Sequence, residues 1–134
     1  MASVQVLYSN RWGDILERPN DNCVEIRWHD ASAEMTEPEF QHFLEQFAAC
    51  IEECGLEGGL IDALQFRMDT SQLSAGWRDQ NIIPRYNQAG MKKFAFIMPE
   101  GMPAIGTEPT PEGPASFPTG YFDKRTAALA WLNA

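Results

Sequence analysis

The stretch from residue 37 to residue 54 constrains this chain more than any other part of it. Thr36 followed by Glu39 fits a capping box, Pro38 sits where a first helical turn tolerates a missing N–H, and Glu37 complements the positive helix end. Phe40, Phe43, Leu44, Phe47, Ile51 and Cys54 then recur at three- and four-residue steps as one apolar stripe, and Gly55 stops the helix. A helix that is apolar on one side only must lay that side on something flat. The flanking segments supply a sheet.

Upstream, residues 3–8 (SVQVLY) and 14–17 (DILE) read as short strands, and 23–28 (CVEIRW) alternates Val24, Ile26 and Trp28 with Glu25 and Arg27. The turn residues 19–22 between two of these runs predict a hairpin. Downstream, residues 59–66 are mostly apolar and predict an interior strand. A second helical stretch is expected from Asp69-Thr70-Ser71 through Leu73 and Trp77. Pro84 breaks it at 81–84, and a new turn runs from Pro84 to just before Gly90. Residues 93–98 (KFAFIM) form the next strand. Residues 99–120 hold six prolines and four glycines in 22 positions, which predicts a long loop, either a lid or a disordered insertion. Tyr121-Phe122 ends a short strand, Asp123 caps, and Ala127, Ala128, Leu129, Trp131 and Leu132 form the inner side of a last helix. The expected class is α/β: one domain over residues 1–134, with a mixed, mostly parallel sheet, an N-terminal antiparallel hairpin and helices mainly on one face.

Charge narrows the partners. The chain has 10 basic and 19 acidic side chains, a net charge of −9, which opposes binding to a phosphate backbone and argues against nucleic acid. The 13 acids and 3 bases of residues 1–66 carry that excess, whereas residues 67–134 hold 6 acids and 7 bases. Arg78, Arg85, Lys92 and Lys93 make a local basic cluster, either a solvated face or a place to meet an anion. No apolar run is long enough for a transmembrane segment, and no signal peptide opens the chain, so a cytoplasmic address is expected. Cys23, Cys50 and Cys54 are too few and too odd in number for a disulfide framework, and they read as reduced packing residues rather than metal ligands. No cofactor is expected.

The chemistry-bearing candidates are sparse. No glycine-rich phosphate loop follows a strand, and there is no nucleophile elbow or metal motif. His42 falls on the polar side of the first helix. His29-Asp30 ends a strand, where adjacent side chains point to opposite faces, so His29 is a weak catalytic candidate. Asp69-Thr70-Ser71 follows a strand and opens a helix, so Thr70 and Ser71 are either capping residues or hydroxyls where a phosphate would be stabilised. Trp77, Ile82, Ile83 and Tyr86, around the proline break, either line an apolar pocket beneath the proline-rich segment or pack as core.

The element order, the junction IDALQFRMDTSQL, the segment IIPRYNQAGMKKFAFIMP and the ending YFDKRTAALAWL resemble the SpoIIAA-like group of STAS-type domains, which is similar to the lipid-binding CRAL-TRIO fold. The resemblance spans nearly the whole chain and is strongest from Leu60 to Met98 and from Tyr121 to Leu132. It implies a bacterial cytoplasmic protein without catalytic machinery. Its CRAL-TRIO side implies a small apolar, amphipathic or lipid-like ligand held between sheet and helices, with residues 99–120 as cover. Its STAS side implies a partner-switch regulator phosphorylated at Thr70 or Ser71, although Gln72 stands where the usual pattern has glycine. A protein partner, or a second copy of the chain in a homodimer, is compatible with either.

Overall fold

A computed structural model describes residues 3–134. Strands β1 (Gln5–Asn10), β2 (Gly13–Arg18) and β3 (Cys23–Trp28) pair antiparallel in succession. The turn residues between β2 and β3 fold as a 3-10 turn, Pro19–Asp21, closed by Asn22 at φ 53°, a left-handed conformation that asparagine tolerates. Asn22 also anchors the strand that pairs with β3 on its other side. Its side chain accepts from the Glu57 N–H and donates to the Glu57 carboxylate, each at 3.2 Å, and its carbonyl accepts from the Gly58 N–H at 2.9 Å. These bonds lock the parallel register of β4 (Gly58–Asp62) on β3.

Between them, helix α1 runs Glu37–Cys54, as its capping pattern and stripe require. The Glu39 carboxylate accepts from both the N–H and the hydroxyl of Thr36 at 2.9 Å, and Gly55 ends the helix at φ 68°. Phe43, Leu44, Phe47, Ala48 and Ile51 are buried.

β4 stops at Asp62, short of the expected 59–66. One Asp62 oxygen accepts from the Leu64 N–H at 3.2 Å and the other receives Arg125 at 2.7 Å, which turns the chain out of the sheet. The helix expected from Asp69 is a correction. Thr70–Gln72 is a single 3-10 turn, and α2 begins only at Trp77 (Trp77–Asn81). The Asp69 carboxylate accepts from the Ser71 N–H at 3.0 Å and from its hydroxyl at 2.7 Å, a local bond that competes with helix propagation. The proline break falls where expected, at Ile82, and α3 is Ile83–Gln88.

β5 (Lys93–Ile97) pairs parallel with β4. Residues 99–120 are not structureless throughout: they contain the two-residue β6 (Thr110–Pro111) and the start of β7 (Pro118–Phe122). β7 pairs parallel with β5 and antiparallel with β6, and α4 (Arg125–Leu132) comes last. The seven strands lie in the order β1-β2-β3-β4-β5-β7-β6, with parallel pairing through the centre and antiparallel pairing at both edges. This is the α/β class with a mixed sheet and an N-terminal antiparallel hairpin.

Strand alternation divides the apolar residues between two layers. Val24, Ile26, Trp28, Ile61 and Phe94 pack with α1 and α3 in the main core, while Cys23, Leu60, Ala95 and Ile97 pack with Ala128 of α4 on the opposite face. Most helical cover therefore lies on one face. Among the described residues, no helix is long and apolar enough to cross a membrane.

Candidate functional site

Where α1 begins and the loop after β4 departs, the main core does not close. Phe43, Phe47 and Ile51 seal against the sheet, but Phe40 and Leu44, in the first half of the helix, line a cleft of about 340 Å³. Its floor is the sheet: Ile61 of β4, Phe94 and Phe96 of β5, Met98 just beyond, and Tyr121 of β7. Trp28 and Phe66 close one side, 5.0 Å apart between ring centroids, and Tyr86 of α3 stacks on Phe94 at 5.5 Å on another. Phe96 and Tyr121 stack at 5.3 Å. A small, largely preformed apolar hollow of this volume falls within the range that small-molecule sites occupy, about 300–1,000 Å³.

The polar atoms of the cleft are few. Tyr86 is buried at 1% exposure, burial pushes its phenol well above the ordinary range, and its hydroxyl makes no hydrogen bond among the described residues. The Tyr121 hydroxyl donates to both oxygens of Glu112 at 2.8 and 2.9 Å, and burial, reinforced by that carboxylate, pushes it up to about 12. Thr70 is exposed at the mouth. Arg78 of α2 is half-buried, with its guanidinium 5.6 Å from the centre of the Phe94 ring.

Of the four residues expected around a pocket, only Tyr86 lines it. Ile82 and Ile83 are buried in the main core at 0% and 3% exposure, and Trp77 packs half-buried against that core. The proline break turns two consecutive isoleucines inward, so they fill space rather than enclose it. Trp28, Phe40, Phe66, Met98 and Tyr121 are cleft residues that the sequence did not single out, because they come from five separate segments. Thr70 joins the cleft, whereas the Ser71 hydroxyl is engaged by Asp69.

The proline-rich segment stands beside the cleft, and none of residues 99–120 lines it. It plugs Phe117 into the core, 6.3 Å from Tyr86 and 6.1 Å from Phe94. Asn87 of α3 holds it, donating to the Pro114 carbonyl at 2.9 Å and accepting from the Ser116 N–H at 2.8 Å. The basic cluster also separates. Arg85 pairs with Glu52 at 2.6 Å, Lys92 pairs with Glu57 at 3.0 Å, and Lys93 donates to carbonyls at the end of α4, which leaves Arg78 to the cleft.

Elsewhere, His29 is exposed and lies 3.1 Å from Asp14 of the neighbouring strand, not against Asp30. A more open groove of about 380 Å³ beside it is lined by Arg27 and Asp62, whose charges are engaged with Glu25 and Arg125 respectively. His42 is exposed on α1. Cys23 is buried, and Cys50 and Cys54 are half-buried against the main core; burial pushes the Cys23 thiol up to about 12. Among the described residues, no group of three or more histidine, cysteine, aspartate or glutamate side chains is placed to hold a metal ion. Comparison with protein-family models, with characterised proteins and with solved structures finds no match to this chain in any of the three.

Proposed function

We propose that this chain is a non-enzymatic binding domain of the SpoIIAA-like, STAS-type kind, and that it takes a small apolar or amphipathic ligand in the cleft over β4, β5 and β7. The observation that carries this reading is the cleft of about 340 Å³ walled by aromatic and aliphatic side chains of the main core. The sheet-and-helix order and the resemblance of the junction and closing segments support it. An open cleft of this kind holds water against apolar walls, and replacing that water with an apolar body is favoured. The test is native mass spectrometry and solvent extraction of the purified protein, together with titration of the neutral dye N-phenyl-1-naphthylamine. Dye fluorescence should rise on binding, and Ala63→Trp, which fills the cleft from its wall, should abolish the rise. Undiminished dye binding by that variant would overturn the reading.

The exposure of Thr70 favours a second reading, in which a kinase modifies Thr70 or Ser71 and the modification exchanges a protein partner. Thr70 presents a hydroxyl with no hydrogen bond among the described residues, on a turn that places it at the cleft mouth. Phosphosite mapping after kinase treatment should find one of the two hydroxyls modified. A map empty at both would remove this reading.

A further inference from the structure

We propose that the cleft selects a ligand carrying a carboxylate on an apolar body, such as a medium-chain fatty acid, with Arg78 as the residue that reads the anionic head. This rests on the ligand-binding reading above and gives the ligand its charge.

The charged side chain in the cleft wall is a donor. Arg78 is the one ionisable cation, and the one charged side chain of either sign, among the residues that line it. Among the described residues, Arg11, Arg18, Arg27, Arg67, Arg85 and Arg125 each donate a hydrogen bond, to a carboxylate or a carbonyl. Arg78 makes none, and its guanidinium lies over the face of Phe94. That is notable in a chain with 19 acidic and 10 basic side chains, where carboxylates are the commoner charge. A guanidinium carries five N–H donors and no acceptor, so this half-buried one has donors free for a ligand in the cleft.

Besides the Thr70 hydroxyl at the mouth, a further donor lies deeper in the cleft. Tyr86 lines the same cleft, and since no fully buried side-chain polar atom among the described residues lacks a partner, its hydroxyl, which donates to none of them, reaches the cleft space. Tyr121, by contrast, is already engaged with Glu112. The described side chains that line the cleft therefore offer a guanidinium and hydroxyls but no carboxylate, and the complement to such a wall is an acceptor-rich, negatively charged head. The planar fork of a single arginine matches a carboxylate, and the aromatic floor takes the apolar remainder.

The experiment is competition against bound N-phenyl-1-naphthylamine by three ten-carbon probes of equal length: decanoate, 1-decanol and decylamine. Decanoate should displace the dye at a concentration at least tenfold lower than 1-decanol, and decylamine should be the weakest. Arg78→Gln should lose the preference for decanoate over 1-decanol, read as the ratio of the two displacing concentrations in that variant. Tyr86→Phe should narrow the ratio between decanoate and 1-decanol by a few fold. Equal displacement by decanoate and 1-decanol, or a preference retained in Arg78→Gln, would overturn the assignment of charge while leaving the apolar site standing. Failure of the wild-type protein to bind the dye at all would remove the apolar site, and this inference with it. Unchanged thermal melting of Arg78→Gln separates loss of selectivity from loss of fold.

Discussion

Glu25 has no solvent exposure, yet it is an acid in the middle of a strand. It survives there because three guanidiniums converge on it. Arg125 of α4 donates to both of its oxygens at 3.0 and 2.7 Å, Arg18 donates at 3.3 Å and Arg27 at 3.4 Å. Arg125 also reaches Asp62 at 2.7 Å, so one side chain ties α4 to both β3 and β4. Glu25→Gln keeps the shape but removes the charge that the three donors share, and it should lower the unfolding free energy in urea by about 2–3 kcal/mol. In the sequence Glu25 was only the polar member of an alternating strand. Alternation placed it opposite Val24 and Ile26, but nothing local marks an acid whose partner is 100 residues away. Arg78 shows the same limit: it stood out as one of four neighbouring cations, and only the fold shows that the other three are engaged elsewhere. Gly59 is a different case. A Cβ there would lie 2.6 Å from the Phe94 ring, so this glycine near the start of β4 is what lets Phe94 lean over the strand and form the cleft floor.

At the scale of elements, α1 was legible almost to the residue, because cap, stripe and stop are all local signals. Thr36→Ala removes the hydroxyl that Glu39 holds in the cap, and it should cost about 1 kcal/mol in urea unfolding. Fraying of the first turn should also weaken dye binding in the cleft, since Phe40 lies in that turn and lines the wall. The broken helix was legible at Pro84 and illegible at Asp69. Proline acts on its own turn by covalent geometry, whereas Asp69 had two local options, to cap a helix or to close on Ser71, and sequence does not rank them. In residues 99–120 the density of proline and glycine correctly excluded helix. It concealed the early start of β7, whose partner β5 is remote, and the two-residue β6, which pairs with β7.

For the whole molecule, stability is expected to hold at neutral pH and fail on both sides. Glu39, Glu52, Glu57 and Asp69 are all held below their ordinary range, led by hydrogen bonds from Thr36, Arg85, Lys92 and Ser71 respectively. A depressed folded value means that the contribution is present above the unfolded value, near 4.5 for the glutamates, and is lost as pH falls through the folded one. Burial raises the Cys23 thiol from 9.0 to about 12, so its contribution is complete below pH 9.0 and disappears as pH climbs towards 12. Thermal melting against pH should therefore be flat from about pH 5 to about pH 9 and fall outside that window, and Cys23→Ala should shallow the alkaline slope. An alkaline slope unchanged in that variant would remove Cys23 as its source. Periodicity, caps and breakers are interactions between residues near in sequence, and by themselves they determined the α/β class, the helix over residues 37–54, the proline break and the succession of strands and helices along the chain. Only the tertiary structure decided which face each helix covers, that Ile82 and Ile83 fill core while Tyr86 faces a cleft, and that Arg78 is left there without an acid. Those outcomes depend on which distant side chains arrive at the same place, and that is fixed by packing and charge pairing across the sheet rather than by any local pattern.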